Sequence, residues 1–361
     1  MEYRKLGRTG LEASVVGLGC AMLGTVDTHY AVRVVRRALD LGVTFFDAAR
    51  SYWDAEVKLG RALADARHRV IVSTKTGARD REGAWREVNE SLERTRFDYF
   101  DNYHLHWLQD VEDVDRRVGP GGALEALVRA RDEGLIRHVG CTSHKAEVLV
   151  AALERFDFEI VLVPLNVVER NPLRELAPLC ERRGVALMAM KPLATGLLPA
   201  RLALRWLRNQ PIASAVPGAT TLEELEENCL AGHGDAALTP EEVVQAEELR
   251  GALDRVRCRL CDECLPCPTS VPIPFILGTD VMYDHVRTMG WEGFAAFPWG
   301  REAFEQDLPY RKKCIAAIEA CNSCGDCERR CPYGLPIVDT LRSMLPSFRS
   351  MASLYESTPA R

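Results

Sequence analysis

The sequence predicts a closed barrel of eight parallel strand–helix units, a (β/α)8 or TIM barrel, followed by a small, mainly helical, cysteine-rich domain. Three observations carry this expectation. Eight short apolar runs are each followed by an amphipathic helical stretch, the series expected of a parallel barrel. Titratable residues stand at the ends of several of those runs, where such barrels collect their reacting groups. Of 13 cysteines, nine fall between Cys258 and Cys331.

In chain order, residues 3–6 and 11–13, separated by Gly7 and Gly10, read as a small hairpin. Strand-like runs follow at 15–19, 44–47, 70–75, 100–106, 138–142, 160–165, 186–191 and 213–217. Helical stretches lie at 29–41, 55–64, 83–92, 123–133, 145–154, 173–183, 201–209 and 222–229. Gly42, Gly134 and Gly184 punctuate helix ends. The alternation stops near 232–235. The expected division is a barrel over 1–235, a linker helix over 236–256, a cysteine-rich domain over 257–345 and a polar tail over 346–361. Thr239 with Glu242 is a capping-box match that opens the linker helix. Aromatic residues Trp291, Phe294, Phe297 and Trp299 mark the middle of the cysteine-rich part.

At 361 residues, with 47% hydrophobic and 27% charged side chains, the chain is long enough for a large barrel and a small second domain. A net charge of −6 gives no electrostatic reason for nucleic acid or an anionic membrane as partner. The first residues, MEYRKLGRTG, lack an apolar signal core, and no apolar run approaches about 18 residues. A cytoplasmic location is expected, and there a high cysteine count points to metal rather than disulfides.

The cysteines form two runs, each closing on Cys-Pro: Cys258, Cys261, Cys264 and Cys267, then Cys321, Cys324, Cys327 and Cys331. The second has the bacterial ferredoxin spacing, three thiolates for one cubane and a fourth for its neighbour. On that pattern two [4Fe-4S] clusters are expected, with crossed ligation. Cys331 joins Cys258, Cys261 and Cys264, while Cys267 joins Cys321, Cys324 and Cys327. The first run departs by one residue in its last gap, which leaves one cluster as the alternative. Structural zinc is the bland reading, but zinc ribbons use separated Cys-x2-Cys pairs. Cys314 reads as a buried thiol.

In the barrel, residues 43–52 run VTFFDAARSY, with Asp47 at the end of an apolar run and Tyr52 five residues on. Lys75 ends the run VIVSTK, and His106 ends YFDNYHLH. As isolated residues these are an ion pair and a core histidine; converging at one barrel mouth, they form a proton-handling set. His104 shares a strand face with His106, an arrangement that can bind zinc, but no third ligand is evident.

Taken with the N-terminal YRKLGRTGLEASVVGLG, the segments FFDAARSY, STK, DYFDNYHLH and VPGATTLEELEEN resemble the aldo-keto reductase family over roughly residues 1–230. The cysteine-rich end is similar to the branch of that family fused to a ferredoxin-like domain. The resemblance implies a catalytic tetrad of Asp47, Tyr52, Lys75 and His106. Lys75 would lower the pKa of Tyr52, Asp47 would be the counter-ion of Lys75, and His106 would orient the carbonyl oxygen. It also implies a nicotinamide site: Thr142 and Ser143 at the carboxamide, Met190 beside the ring, and Lys191, Gly218 and Asn228 along the rest of the nucleotide. Leu162 replaces a glutamine of the family, and Gly218 and Glu224 replace basic residues that bind a 2′-phosphate. NADH is therefore expected over NADPH, with room left for a flavin.

The function expected is an oxidoreductase acting on a carbonyl or alcohol group of a small molecule, coupled to [4Fe-4S] electron transfer, with a ferredoxin-type carrier as partner. The alternatives are a lyase or isomerase using the same tetrad with structural clusters, and an electron-transfer protein with the barrel as scaffold. Arg50, Trp53 and Trp107 are candidate pocket residues.

Overall fold

A computed structural model describes residues 1–278 and 298–357. The chain divides into two compact units, Met1–Arg250 and Gly251–Arg361.

The first unit opens with an antiparallel hairpin, β1 (Tyr3–Lys5) and β2 (Glu12–Ser14). Eight parallel strands follow in sequential order: β3 (Leu18–Gly19), β4 (Phe45–Asp47), β5 (Ile71–Thr76), β6 (Phe100–Leu105), β7 (Ile136–Thr142), β8 (Ile160–Pro164), β9 (Ala186–Met190) and β10 (Ser214–Ala215). A parallel bridge between Val16 and Ala215 joins the last strand to the approach of the first and closes the ring. Gly17 N–H donates to the Ala215 carbonyl, and Ala215 N–H to that of Val15. Several strands are shorter than the apolar runs suggest, because only the hydrogen-bonded centre of each run is strand.

The helices between them are α1 (Thr28–Asp40), α2 (Ala55–Leu63), α3 (Arg81–Thr95), α4 (Val111–Val118), α5 (Ala123–Asp132), α6 (Ala146–Arg155), α7 (Leu176–Arg183), α8 (Ala200–Arg208) and α9 (Leu222–Leu230). Helix α4 is additional to the expected series. Its start is fixed by Asp110, whose side chain accepts from Asp113 N–H. At the lower end of the barrel, Leu6 and Ala13 of the hairpin pack with Phe45, Ile71, Ile160 and Ala186, so the interior is a filled core.

Higher in the barrel the interior turns polar. Strand register sets Asp47 beside Ser73, Ser73 beside Asn102, and Lys75 beside His104. Asn102 donates to Ser73 Oγ at 2.9 Å and lies 2.6 Å from His104 Nε2. The His104 ring fits because its neighbour on β7 is Gly140: a Cβ there would stand 2.4 Å from His104 Nδ1.

Helix α10 (Pro240–Leu253) opens on the expected capping box, with Thr239 N–H donating to Glu242 and Glu242 N–H to the Thr239 hydroxyl. The second unit contains α11 (Ile273–Gly278), α12 (Pro298–Glu319), α13 (Asp326–Arg330) and α14 (Ile337–Ser357). They enclose a core that includes Ile276, Cys314, Ile318, Ile337 and Leu341. The tail expected from 346 is helical through Ser357. Trp291, Phe294 and Phe297 lie outside the described residues. No helix of the described residues is long and apolar enough to cross a membrane.

Candidate active site and cysteine-lined cavities

Strands β4, β5 and β6 deliver Asp47, Lys75 and His106 to the same end of the barrel, and Tyr52 reaches it from the loop after β4. Lys75 Nζ lies 2.7 Å from Asp47 Oδ2 and 2.6 Å from the Ala48 carbonyl, with both side chains buried. The same ammonium stands 4.9 Å from the centre of the Tyr52 ring. The Tyr52 and His106 rings meet edge to face at 5.9 Å.

Electrostatics follow from this enclosure. Burial opposes the charge of Lys75, but Asp47 and Tyr52 outweigh it and hold the ammonium above its ordinary pKa. Burial pushes the Asp47 carboxyl up against the pull of Lys75. Burial also raises Tyr52; Lys75 draws it back without overcoming that effect. Lys75 thus acts on the phenol in the expected, lowering direction, while burial acts the other way and is the larger influence. His106 is pushed down to about 3, first by burial and then by Lys75, His144 and Arg117. It is therefore a neutral imidazole near pH 7. Ser51 Oγ lies 3.4 Å from its Nδ1.

His104 is turned into the barrel rather than toward a metal. Burial holds it well below its ordinary pKa. Among the described residues no three His, Cys, Asp or Glu side chains gather closely enough for a single ion. Arg50, a pocket candidate, is spent on Glu56 at 3.4 Å and Glu90 at 2.5 Å. Trp53 covers Gly24. Trp107 is half exposed, its ring 5.6 Å from that of His144.

On the nucleotide side, the Thr142 hydroxyl accepts from Trp107 N–H at 2.7 Å, which leaves its proton available to a ligand. The Ser143 hydroxyl donates to the Leu108 carbonyl at 2.7 Å and accepts from Lys145 N–H at 3.1 Å. One of the two expected carboxamide partners is thus committed inside the protein. Met190 is partly buried at the end of β9, and Leu162 is fully part of the core. The Lys191 carbonyl accepts from Asn166 at 3.0 Å. Asn228, buried on α9, donates to the Gly218 carbonyl at 3.2 Å. Glu224 closes a capping box with Thr221, and its carboxylate takes the Thr220 N–H and hydroxyl, both at 2.7 Å, and the Thr221 N–H at 3.3 Å.

In the second unit, one small cavity is lined by Cys258, Cys261, Cys264 and Cys331 with Leu277 and Ile337. Another is lined by Cys267, Cys321, Cys324 and Cys327 with Val271 and Leu341. Four thiols in apolar walls suit the soft iron of a cubane cluster. Cys314 is fully buried and belongs to neither set.

Fold and sites together define an oxidoreductase-type barrel joined to an iron–sulfur domain. The sequence profile of the aldo/keto reductase family matches residues 15–201, and that of the 4Fe-4S dicluster domain matches residues 257–335. The uncharacterized oxidoreductase YqkF of Bacillus subtilis is 29% identical over 67% of this chain and 94% of its own. L-galactose dehydrogenase of Arabidopsis thaliana is 32% identical over 64% of this chain and 88% of its own. A solved aldo-keto reductase from Bacillus halodurans, in its holo form, superposes with a TM-score of 0.62 at 27% identity, covering 69% of this chain and 96% of that one. The chain belongs to the aldo/keto reductase family and carries a 4Fe-4S dicluster domain.

Proposed function

We propose that the protein interconverts a carbonyl and an alcohol on a small molecule through Asp47, Tyr52, Lys75 and His106. The observation that carries this reading is one buried ammonium, Lys75, set against both the Asp47 carboxylate and the Tyr52 ring at the strand ends. Tyr52 exchanges a proton with the substrate oxygen. Lys75 stabilises the phenolate that this leaves, and Asp47 keeps Lys75 in place. His106, neutral, donates a hydrogen bond that orients the same oxygen.

A bound nicotinamide would supply or accept hydride at the carbon. Thr142, Met190, Lys191, Gly218 and Asn228 are the residues proposed to hold it, with Ser143, next to Thr142, holding the Leu108 carbonyl of the loop after β6. NADH is favoured over NADPH because Glu224 already sits on the N-terminal donors of α9. Two [4Fe-4S] clusters with crossed ligation are proposed, supported by the grouping of the eight cysteines around the two cavities. Because hydride carries two electrons and a cluster one, the clusters require a one-electron partner; a ferredoxin-type carrier fills that role, or a flavin held at the barrel mouth. The relatives are oxidoreductases, and no residue favours elimination or isomerisation.

The test is Tyr52→Phe in anaerobically purified protein, expected to lower turnover by about 10²- to 10⁴-fold. Turnover equal to that of the unaltered protein would refute the tetrad. Redox titration during turnover tests the clusters: both oxidation states should be populated, and clusters held in one state throughout are structural.

A further inference from the structure

The residue after His106 has a backbone conformation that a tryptophan rarely adopts. Trp107 has φ of +51°, in the left-handed region, which is strained for a bulky side chain. Such a conformation persists only where its surroundings over-determine it. Here they do, from two sides. From β7, Thr142 takes the Trp107 N–H with its hydroxyl at 2.7 Å and the Leu108 N–H with its carbonyl at 2.8 Å. Ser143 holds the Leu108 carbonyl at 2.7 Å.

From α4, Arg117 donates through Nη1 to the His106 carbonyl at 3.0 Å. Its guanidinium is locked in turn. Nε and Nη2 reach the two oxygens of Asp113 at 3.1 and 3.0 Å, a two-bonded fork between side chains that are 4% and 2% exposed. Asp113 also accepts from Gln109 N–H at 3.3 Å, from Arg116 at 3.0 Å, and lies 3.4 Å from Arg79. A buried arginine whose free N–H is given to one backbone carbonyl acts on that carbonyl. The carbonyl belongs to the histidine that the proposed chemistry depends on.

We propose that Arg117, locked by Asp113, is a positioning residue for His106: it holds the strained turn that aims the imidazole at Tyr52. This rests on the tetrad reading above and adds to it a residue outside the tetrad. The groups facing the imidazole are Lys75 from β5, Ser51 and Tyr52 from the loop after β4, His144 from the loop after β7, and Arg117 from α4. None of these is a carboxylate, which agrees with a histidine used as a neutral donor.

The experiment compares Arg117→Met, Arg117→Lys and Arg117→Met/Trp107→Asn in the full-length, cluster-loaded protein. The His106 ring is followed by NMR, assigned with His106→Gln, and reduction of 4-nitrobenzaldehyde by NADH is measured alongside. Arg117→Met should shift the His106 resonances and raise its apparent pKa. It should also lower kcat by about 10- to 100-fold, the scale of a misplaced catalytic group, with KM little changed. Arg117→Lys should fall between, since lysine keeps the charge but lacks the fork. Asparagine tolerates the left-handed region, so adding Trp107→Asn should return the His106 resonances toward their original positions. A folded Arg117→Met protein with unchanged His106 resonances overturns the proposal, as does a shift that Trp107→Asn leaves untouched. If Arg117→Met does not fold, Asp113→Asn is read for the same changes in smaller size, and unchanged resonances there count equally against it. Full turnover in Tyr52→Phe would sink the tetrad reading alone, because the ring resonances report the clamp independently of turnover.

Discussion

Lys75 reaches only one oxygen of Asp47: Nζ is 2.7 Å from Oδ2, while Oδ1, also buried, has no hydrogen-bond partner. The pair is therefore balanced on a single contact, and its charges depend on each other. Lys75→Met should destabilise the protein by about 3–5 kcal/mol by stranding a buried carboxylate. Lys75→Met combined with Asp47→Leu should recover most of that loss. Both proteins should be inactive. Chemical denaturation midpoints decide the matter, and a single variant as stable as the parent would contradict this view of the pair.

Acid should weaken the fold through His106. Its folded pKa, about 3, lies below the ordinary 6.5, so between those values the unfolded chain binds a proton that the folded chain does not. The contribution is complete above pH 6.5 and is lost as pH falls, at up to about 1.4 kcal/mol per unit. His104, lowered by burial, adds in the same direction. His106→Asn should flatten the dependence by about one proton's slope. An unchanged slope in that variant would locate the acid sensitivity elsewhere.

Cofactor choice should turn on Glu224. Replacing it with glutamine removes the charge but keeps much of the cap, and adding Gly218→Lys supplies a cation. The Cβ of a residue at 218 would meet the flexible Met22 side chain at 3.1 Å and the Gly19 carbonyl at an ordinary 3.8 Å. The double variant should shift the NADPH-to-NADH affinity ratio upward by at least about tenfold, one charge-assisted contact's worth. Fluorescence titration reads it, and a parent protein that already prefers NADPH would refute the assignment.

The cysteine grouping predicts partners far apart in sequence. Cys258→Ser and Cys331→Ser should damage the same cluster, and Cys267→Ser and Cys324→Ser the other. Each single variant should keep the electron paramagnetic resonance signal of the undamaged cluster. Iron should count near eight per chain in the parent, two clusters of four. Four irons, or Cys331→Ser sharing the phenotype of Cys324→Ser, would exclude the crossed arrangement.

Much of the site was readable because its residues interrupt strong patterns. Asp47 and Lys75 stand out at the ends of apolar runs, and the spacing of eight cysteines is too regular for chance. Arg117 was not readable. An Asp and an Arg four apart in a polar stretch look like a surface pair, and only the closure of α4 over the His106 loop buries them. The partner of the Ser143 hydroxyl was hidden for a related reason: Leu108, whose carbonyl it reaches, is 35 residues away in the chain. The balance at Tyr52 also lay beyond the sequence, since it depends on how completely the loop after β4 is enclosed.

The contact between His104 and Gly140 constrains which sequences can be reached from this one. A side chain at 140 has no room while the imidazole is present, and loss of the imidazole opposite a glycine leaves a void in the barrel. Either change made first passes through a less stable protein. Because the Ile160 carbonyl also stands 2.7 Å from that Cβ position, removing the imidazole does not open position 140, so the glycine should persist even in descendants that lose His104.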